Sequence, residues 1–193
     1  MGLVIVTEPA SEPITTAEAK THMRVDSSTE DAYIDTLIAA ARTHVEKQTS
    51  RALITQTWDL WWDVLPVMSA VTLPKPPLQS VSYVKYYDEA DAESVFGSIN
   101  YFVDTTGNSS GRLGLNVGST WPTAATRLFN AYQIRFVAGY GNASSVPAPL
   151  RHAIKLLVQH WFENREPVNI GNITSDIPIM IDHLIWPYRI LRV

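Results

Sequence analysis

At Arg51 the chain changes its apolar period, and this constrains the fold more than any other feature of the sequence. Before that point Tyr33, Ile34, Leu37, Ile38, Ala41 and Val45 recur at a spacing of about 3.6 residues, which places them on one stripe of a helix. After it, Trp58, Leu60, Trp62 and Val64 alternate with Thr57, Asp59, Trp61 and Asp63 at a period of about 2, so the two sets lie on opposite faces of a strand. Extended segments follow at 71–73, 81–87, 95–103, 113–117 and 132–138, separated by the turn chemistry of P-K-P-P, D-E-A-D, T-G-N-S-S-G and G-Y-G-N. Consecutive strands without crossover helices exclude a doubly wound parallel sheet and predict a small antiparallel one.

Helices flank this region. Thr15 and Glu18 form a T-x-x-E capping box ahead of Ala17, Ala19 and Met23, which predicts a short helix ending near Val25. The polar run 26–29 resets the chain. Ser28 is the expected cap of a second helix over 29–48, acidic at its start in Glu30, Asp31 and Asp35. Arg42, Glu46 and Lys47 fall off its apolar stripe and are expected to face away from the core. Pro147 and Pro149 open the most regular helix, 149–165, where Leu150, Ala153, Ile154, Leu157, Val158, Trp161 and Phe162 keep the i, i+3, i+4, i+7 spacing. Asp176 is a candidate cap, Pro178 starts a last short helix and Pro187 interrupts it. The expected architecture is α+β: terminal helices packed as a small bundle, with an antiparallel β-sheet inserted between them. At 193 residues the chain reads as one domain, with a helical part at 14–50 and 147–193 and the β part at 52–141.

Hydrophobic residues at 46% and charged residues at 18% exclude wholesale disorder. The absence of cysteine removes disulfides, thiolate zinc sites and cysteine nucleophiles, and leaves an intracellular setting as the default. MGLVIVTEPASEP has no basic start before its apolar run and does not read as a secretory signal, and no apolar run reaches the roughly 20 residues that span a bilayer. The sequons at Asn108, Asn142 and Asn172 are therefore read as chance patterns. Residues 1–103 carry 14 acidic and 7 basic side chains and residues 104–193 carry 5 and 8, so net charges of −7 and +3 give two ends able to pair head to tail between copies. No Lys/Arg cluster marks a nucleic-acid face.

Signatures of chemistry are sparse. His152 and His160 lie two turns apart on one helix, too far for the i, i+4 pair that grips a metal, and no H-E-x-x-H occurs, so no metal site is expected. Asp59 and Asp63 are assigned to a solvated strand face and 88–93 to a loop, which leaves no convergent carboxylate pair. Gly107, Gly111, Gly114 and Gly118 lead into extended residues without a G-K-[ST] ending and read as turns and bulges, and no G-x-S-x-G elbow exposes a serine. Neither a catalytic residue nor a cofactor is expected. Trp58, Trp61 and Trp62 with Tyr83, Tyr86 and Tyr87 concentrate aromatics on the strands, but Asp59 and Asp63 would repel phosphate, so core or protein-interface use is expected. His183, Trp186 and Tyr188 read equally well as core or as an exposed docking tail.

Three stretches together carry a family resemblance: PITTAEAKTHMRVDSSTEDAYIDTLIAAARTHVEKQTSRALITQTW, AGYG at 138–141 followed by VPAPLRHAIKLLVQHWFENRE, and the closing LIWPYRILRV. In order and spacing they resemble the head–tail connector (adaptor) family of tailed bacteriophages, prophages and gene transfer agents, with residues 65–130 covered only loosely. The resemblance implies a virion structural protein, made in the host bacterial cytoplasm, whose copies form a ring, commonly a dodecamer, under the capsid portal. The genome passes through that ring without specific binding, and no membrane is involved. It also implies that the helices at 29–48 and 149–165 build the ring, for which Arg42, Glu46, Lys47, Arg151 and Lys155 are the candidate contacts. The carboxy-terminal segment Trp186, Pro187, Tyr188, Arg189, Ile190, Leu191, Arg192 and Val193 would reach the portal protein. Such a tail is expected to become ordered on its partner, with its aromatics as anchors. The other readings are a different neck component, such as a stopper or tail-completion protein, and a small ligand-binding or enzymatic domain.

Overall fold

The computed structural model describes residues 1–65, 69–107, 110–165 and 179–190. In chain order its elements are β1 (Gly2–Thr7), α1 (Thr16–Met23), α2 (Asp31–Thr49), β2 (Gln56–Trp62), β3 (Ala70–Thr72), β4 (Leu78–Tyr87), β5 (Glu93–Phe96), β6 (Tyr101–Asp104), β7 (Arg112–Leu115), β8 (Tyr132–Ala138), α3 (Ala148–Glu163) and α4 (Ile179–Ile185). The fold is α+β, and the chain divides into two compact units. One comprises Met1–Pro9 and Thr55–Tyr140, and the other Ala10–Ile54 and Gly141–Val193.

The first unit holds two antiparallel sheets where one was expected: a five-stranded sheet of order β1-β2-β8-β4-β5 and a three-stranded sheet of order β3-β7-β6. The period-2 pattern of β2 sets the larger sheet. Leu60 pairs with Ile134, which also pairs with Val84, and these fully buried residues define one face. Asp59 and Trp61 pair with Arg135 and Gln133 on the other face. β1 was not anticipated; its G-L-V-I-V-T run has no turn signal to mark it as a strand, and it is held at the edge by pairings such as Leu3 with Leu60.

The segment 95–103, read from sequence as one strand, is broken by Gly97 and a 3-10 turn over Ser98–Asn100. The break sends β5 to the larger sheet and β6 to the smaller one. It is fixed by aromatic packing: Phe96 and Tyr101, both buried, stack at 5.9 Å, and Trp121 sits 5.7 Å from Phe96. Gly111 is a point of close approach, because a Cβ there would collide with the side chain of Leu78.

In the second unit the capping box of α1 forms as expected: the Glu18 N–H donates to Thr15 Oγ1 at 3.1 Å and the Thr15 N–H to Glu18 Oε2 at 2.9 Å. Ser28 does not cap α2. The cap position is Glu30, whose side chain makes no capping hydrogen bond, and the Ser28 carbonyl instead accepts the Asp31 N–H at 3.3 Å. The stripe Ile34, Leu37, Ile38, Ala41 and Val45 is buried, as is Leu150, Ala153, Ile154, Leu157 and Val158 of α3, and α2 packs on α3. Ile181 and Ile185 of α4 are buried too. Trp161 and Phe162 sit at the margin, against His44 and Tyr33 at 6.1 and 6.2 Å. Asp176 and Pro178, together with Asn108 and Asn172, lie outside the described residues, and Pro187 falls in a 3-10 turn over Trp186–Tyr188 that ends α4.

Candidate functional site

Side chains that could do chemistry are mostly committed to structure. His22 and His152 meet edge to face at 5.8 Å, and His160 accepts or donates to the Asn164 amide at 3.5 Å, so the two histidines of α3 serve different contacts. Among the described residues no group of three or more His, Asp or Glu could hold a metal ion, and no helix is long and apolar enough to cross a membrane.

The Asp59 side chain is not solvated, contrary to the assignment made from alternation. It is only 6% exposed and sits in a polar layer on the outer face of the larger sheet. Both its oxygens accept from Arg135, from Nε and Nη2 at 2.7 Å each, and Oδ2 also accepts from Gln133 Nε2 at 2.8 Å. Tyr87 Oη donates to Gln133 Oε1 at 3.1 Å. The hydrogen bonds to Asp59, opposed by some burial, hold the Arg135 guanidinium more firmly protonated than usual. Aromatics roof this layer: Trp61 stacks on Tyr87 at 6.0 Å, and the guanidinium of Arg127 lies 4.1 Å from the Tyr87 ring. The signal in the sequence was a lone carboxylate in the middle of W-D-L-W-W, a position alternation assigns to water although tryptophans enclose it.

Of the five charges nominated as ring contacts, Arg42 and Glu46 do not face away. Glu46 is 7% exposed; its Oε1 accepts the Leu53 N–H at 2.8 Å and its Oε2 accepts from Arg42 Nη1 at 3.0 Å. Arg42 also donates from Nε to Glu12 at 2.8 Å. Burial works against the Arg42 charge, but Glu46 and Glu12 outweigh it and raise its pKa. The reason is spatial: the turn after α2 folds back and brings the Leu53 N–H onto the Glu46 carboxylate. Arg151 Nη2 and Lys155 Nζ lie 2.6 and 3.7 Å from Glu18 Oε1. The Thr15 N–H bond, with Lys155 and Arg151 behind it, keeps the Glu18 carboxyl below its ordinary range despite burial. Lys47 alone of the five is exposed.

The carboxy-terminal segment is tied to the end of α2. Arg51 Nε donates to the Tyr188 carbonyl at 2.5 Å, the Ile190 N–H to the Thr49 carbonyl at 3.0 Å, and Arg189 Nη2 to Gln48 Oε1 at 2.7 Å. Trp186 is left 60% exposed beneath the Arg189 guanidinium, 5.1 Å from its ring, and Pro187 is also exposed. Leu191, Arg192 and Val193 lie outside the described residues.

The family model described as "Head completion protein" matches residues 12–191, nearly the whole chain. The chain belongs to the head completion protein family. Three solved structures agree with this family member along its full length. Each is 25% identical, and each alignment covers 100% of this chain and 97% of the other. They come from the neck of an empty gene transfer agent (GTA) particle computed with C6 symmetry, at a TM-score of 0.82; from the virion of a native gene transfer agent particle, at 0.80; and from the neck of a native GTA particle computed with C12 symmetry, at 0.75. The head–tail connector resemblance read from the sequence is thereby upheld. No curated protein matches the sequence.

Proposed function

We propose that this head completion family member is the adaptor of a phage-like particle. Its copies form a ring in the neck beneath the capsid portal, join the portal to the tail side, and line part of the conduit through which DNA passes. The observation that carries this reading is the full-length likeness to chains from neck particles at a TM-score of 0.82, joined to a family match over 12–191. The C6 and C12 symmetries of those particles support a cyclic arrangement of copies. The chain works as a structural part and turns over no substrate. Its net charge of −4 suits a conduit that must let DNA slide without gripping it.

The portal contact falls to the segment from Trp186 to Val193, with Trp186 as the anchor that fills a pocket on the partner. α2 and α3 supply the body of the ring, and Lys47 is the charge of that body left open to a neighbour. The experiment is binding of the purified chain, intact and lacking 186–193, to isolated portal rings, with electron microscopy of the mixture. An adaptor caps portal rings when intact and loses them on truncation while its melting curve stays sharp. Binding that survives truncation refutes the docking role. Binding to tail-side rings and not to portals makes the chain a stopper or tail-completion protein.

A further inference from the structure

We propose that the two open edges of the five-stranded sheet pair with each other between copies, β5 of one chain receiving β1 of the next. The occupant of each edge is thus a second copy of this chain. The inference rests on the ring reading above and adds to it a contact that the helices do not make.

β1 and β5 are the outermost strands of the sheet, each with one row of backbone N–H and C=O groups that no strand among the described residues takes up. Proteins that stay single guard such edges with charge or proline, and β1 has neither: its six residues are Gly, Leu, Val, Ile, Val and Thr, and none is buried. The one charge of β5, Glu93, is held by Lys85 at 2.7 Å on its own sheet. The edges match in length. A bulge between Ile5 and Thr7 limits the regular part of β1 to Gly2–Ile5, four residues, and Glu93–Phe96 of β5 is four residues.

Direction favours a repeating contact. Every neighbouring pair in the order β1-β2-β8-β4-β5 is antiparallel, so with five strands β1 and β5 run the same way. Rotating a copy about an axis along the strands then brings β1 beside β5 as a parallel ladder, a head-to-tail contact that repeats until it closes. Side chains agree. Val4 pairs with Asp59, Asp59 with Arg135, Arg135 with Tyr83, and Val95 with Lys85 two positions along β4, so Val4 and Val95 share the outer face. They are 53% and 62% exposed at opposite edges, and the junction would bring these two bare valines together. The charges Arg42, Glu46, Arg151 and Lys155 are engaged within their own unit. An interface made from backbone ladders does not need them.

The chain has no cysteine, so single cysteines report without interference. V4C and V95C are made separately, checked for the parental melting temperature, and co-produced in the bacterium that makes the particles. Purified particles are then treated with a bismaleimide of about 8 Å reach, which covers opposed and diagonal neighbours. The expected result is a V4C–V95C dimer at least tenfold above the background of particles carrying either variant alone. Exclusion of both folded variants from necks that accept the parent chain also supports the pairing. V4C–V4C dimers, the mark of a two-fold β1 contact, or necks that hold both variants without cross-links overturn it and leave the neck reading standing. Necks without the parent chain overturn the neck reading, and this inference with it.

Discussion

Asp59 and Arg135 sit directly opposite each other on β2 and β8, joined at two points of 2.7 Å. The carboxylate is nearly closed off from water while the guanidinium side chain keeps 32% of its surface. Removing the acid strands a partly buried cation and takes one acceptor from Gln133. Asp59→Ala is therefore expected to cost about 2 kcal/mol, below the full cost of breaking a fully buried pair because water still reaches Arg135. Urea unfolding of D59A, R135A and the double variant checks this, and a double-mutant coupling near zero would show that the pair adds nothing.

Gly111 lies against Leu78, which is itself buried. Gly111→Ala is expected to lose about 1–3 kcal/mol through overpacking. Leu78→Ala should not rescue it, because the Leu78 Cβ is itself among the atoms the added methyl meets; thermal midpoints of the single and double variants check this.

His22 has its pKa lowered, first by burial and then by His152 and Lys155, and its Nε2 is buried without a hydrogen-bond partner among the described residues. The folded state thus resists a proton that the unfolded chain accepts below about pH 6.5. Stability is unaffected above that value and falls as the pH drops below it. Melting curves between about pH 7.5 and 5.5 should show a decline that His22→Gln flattens. An identical slope in the variant would assign the decline elsewhere.

Trp186 is largely exposed, with the Arg189 guanidinium 5.1 Å from its ring, so its removal should leave stability within about 0.5 kcal/mol. If it anchors the portal contact, Trp186→Ala weakens portal binding by more than about tenfold, measured by surface plasmon resonance on immobilised portal rings. Arg51→Ala, which frees the Tyr188 carbonyl, should raise amide exchange over 186–190.

The helices were legible because their information is local: a capping box at Thr15 and Glu18, and apolar stripes on α2 and α3 that repeat over several turns. β2 and β8 were legible for the same reason. β1 was not, because G-L-V-I-V-T becomes a strand only through a partner some fifty residues on, and neither was the break at Gly97, which depends on Phe96 finding Tyr101 and Trp121. Charges were hardest. Asp59, Arg42 and Glu46 all looked solvated because alternation and periodicity record which face a residue occupies and not what stands above it. Trp186 reads from sequence equally well as core or as exposed tail and is exposed in the structure, while the tether of its segment to Thr49, Gln48 and Arg51 joins two chain segments that no local pattern connects.

The chain passes between its two units three times, after Pro9, Ile54 and Tyr140. Each unit is therefore stitched from separate stretches, and a protease that nicks any single crossing releases neither one. Nor can the helical unit be finished on the ribosome until the sheet that interrupts it has emerged, so a truncated or prematurely ended product lacks the second half of its helical core and is poorly placed to enter and poison a growing assembly.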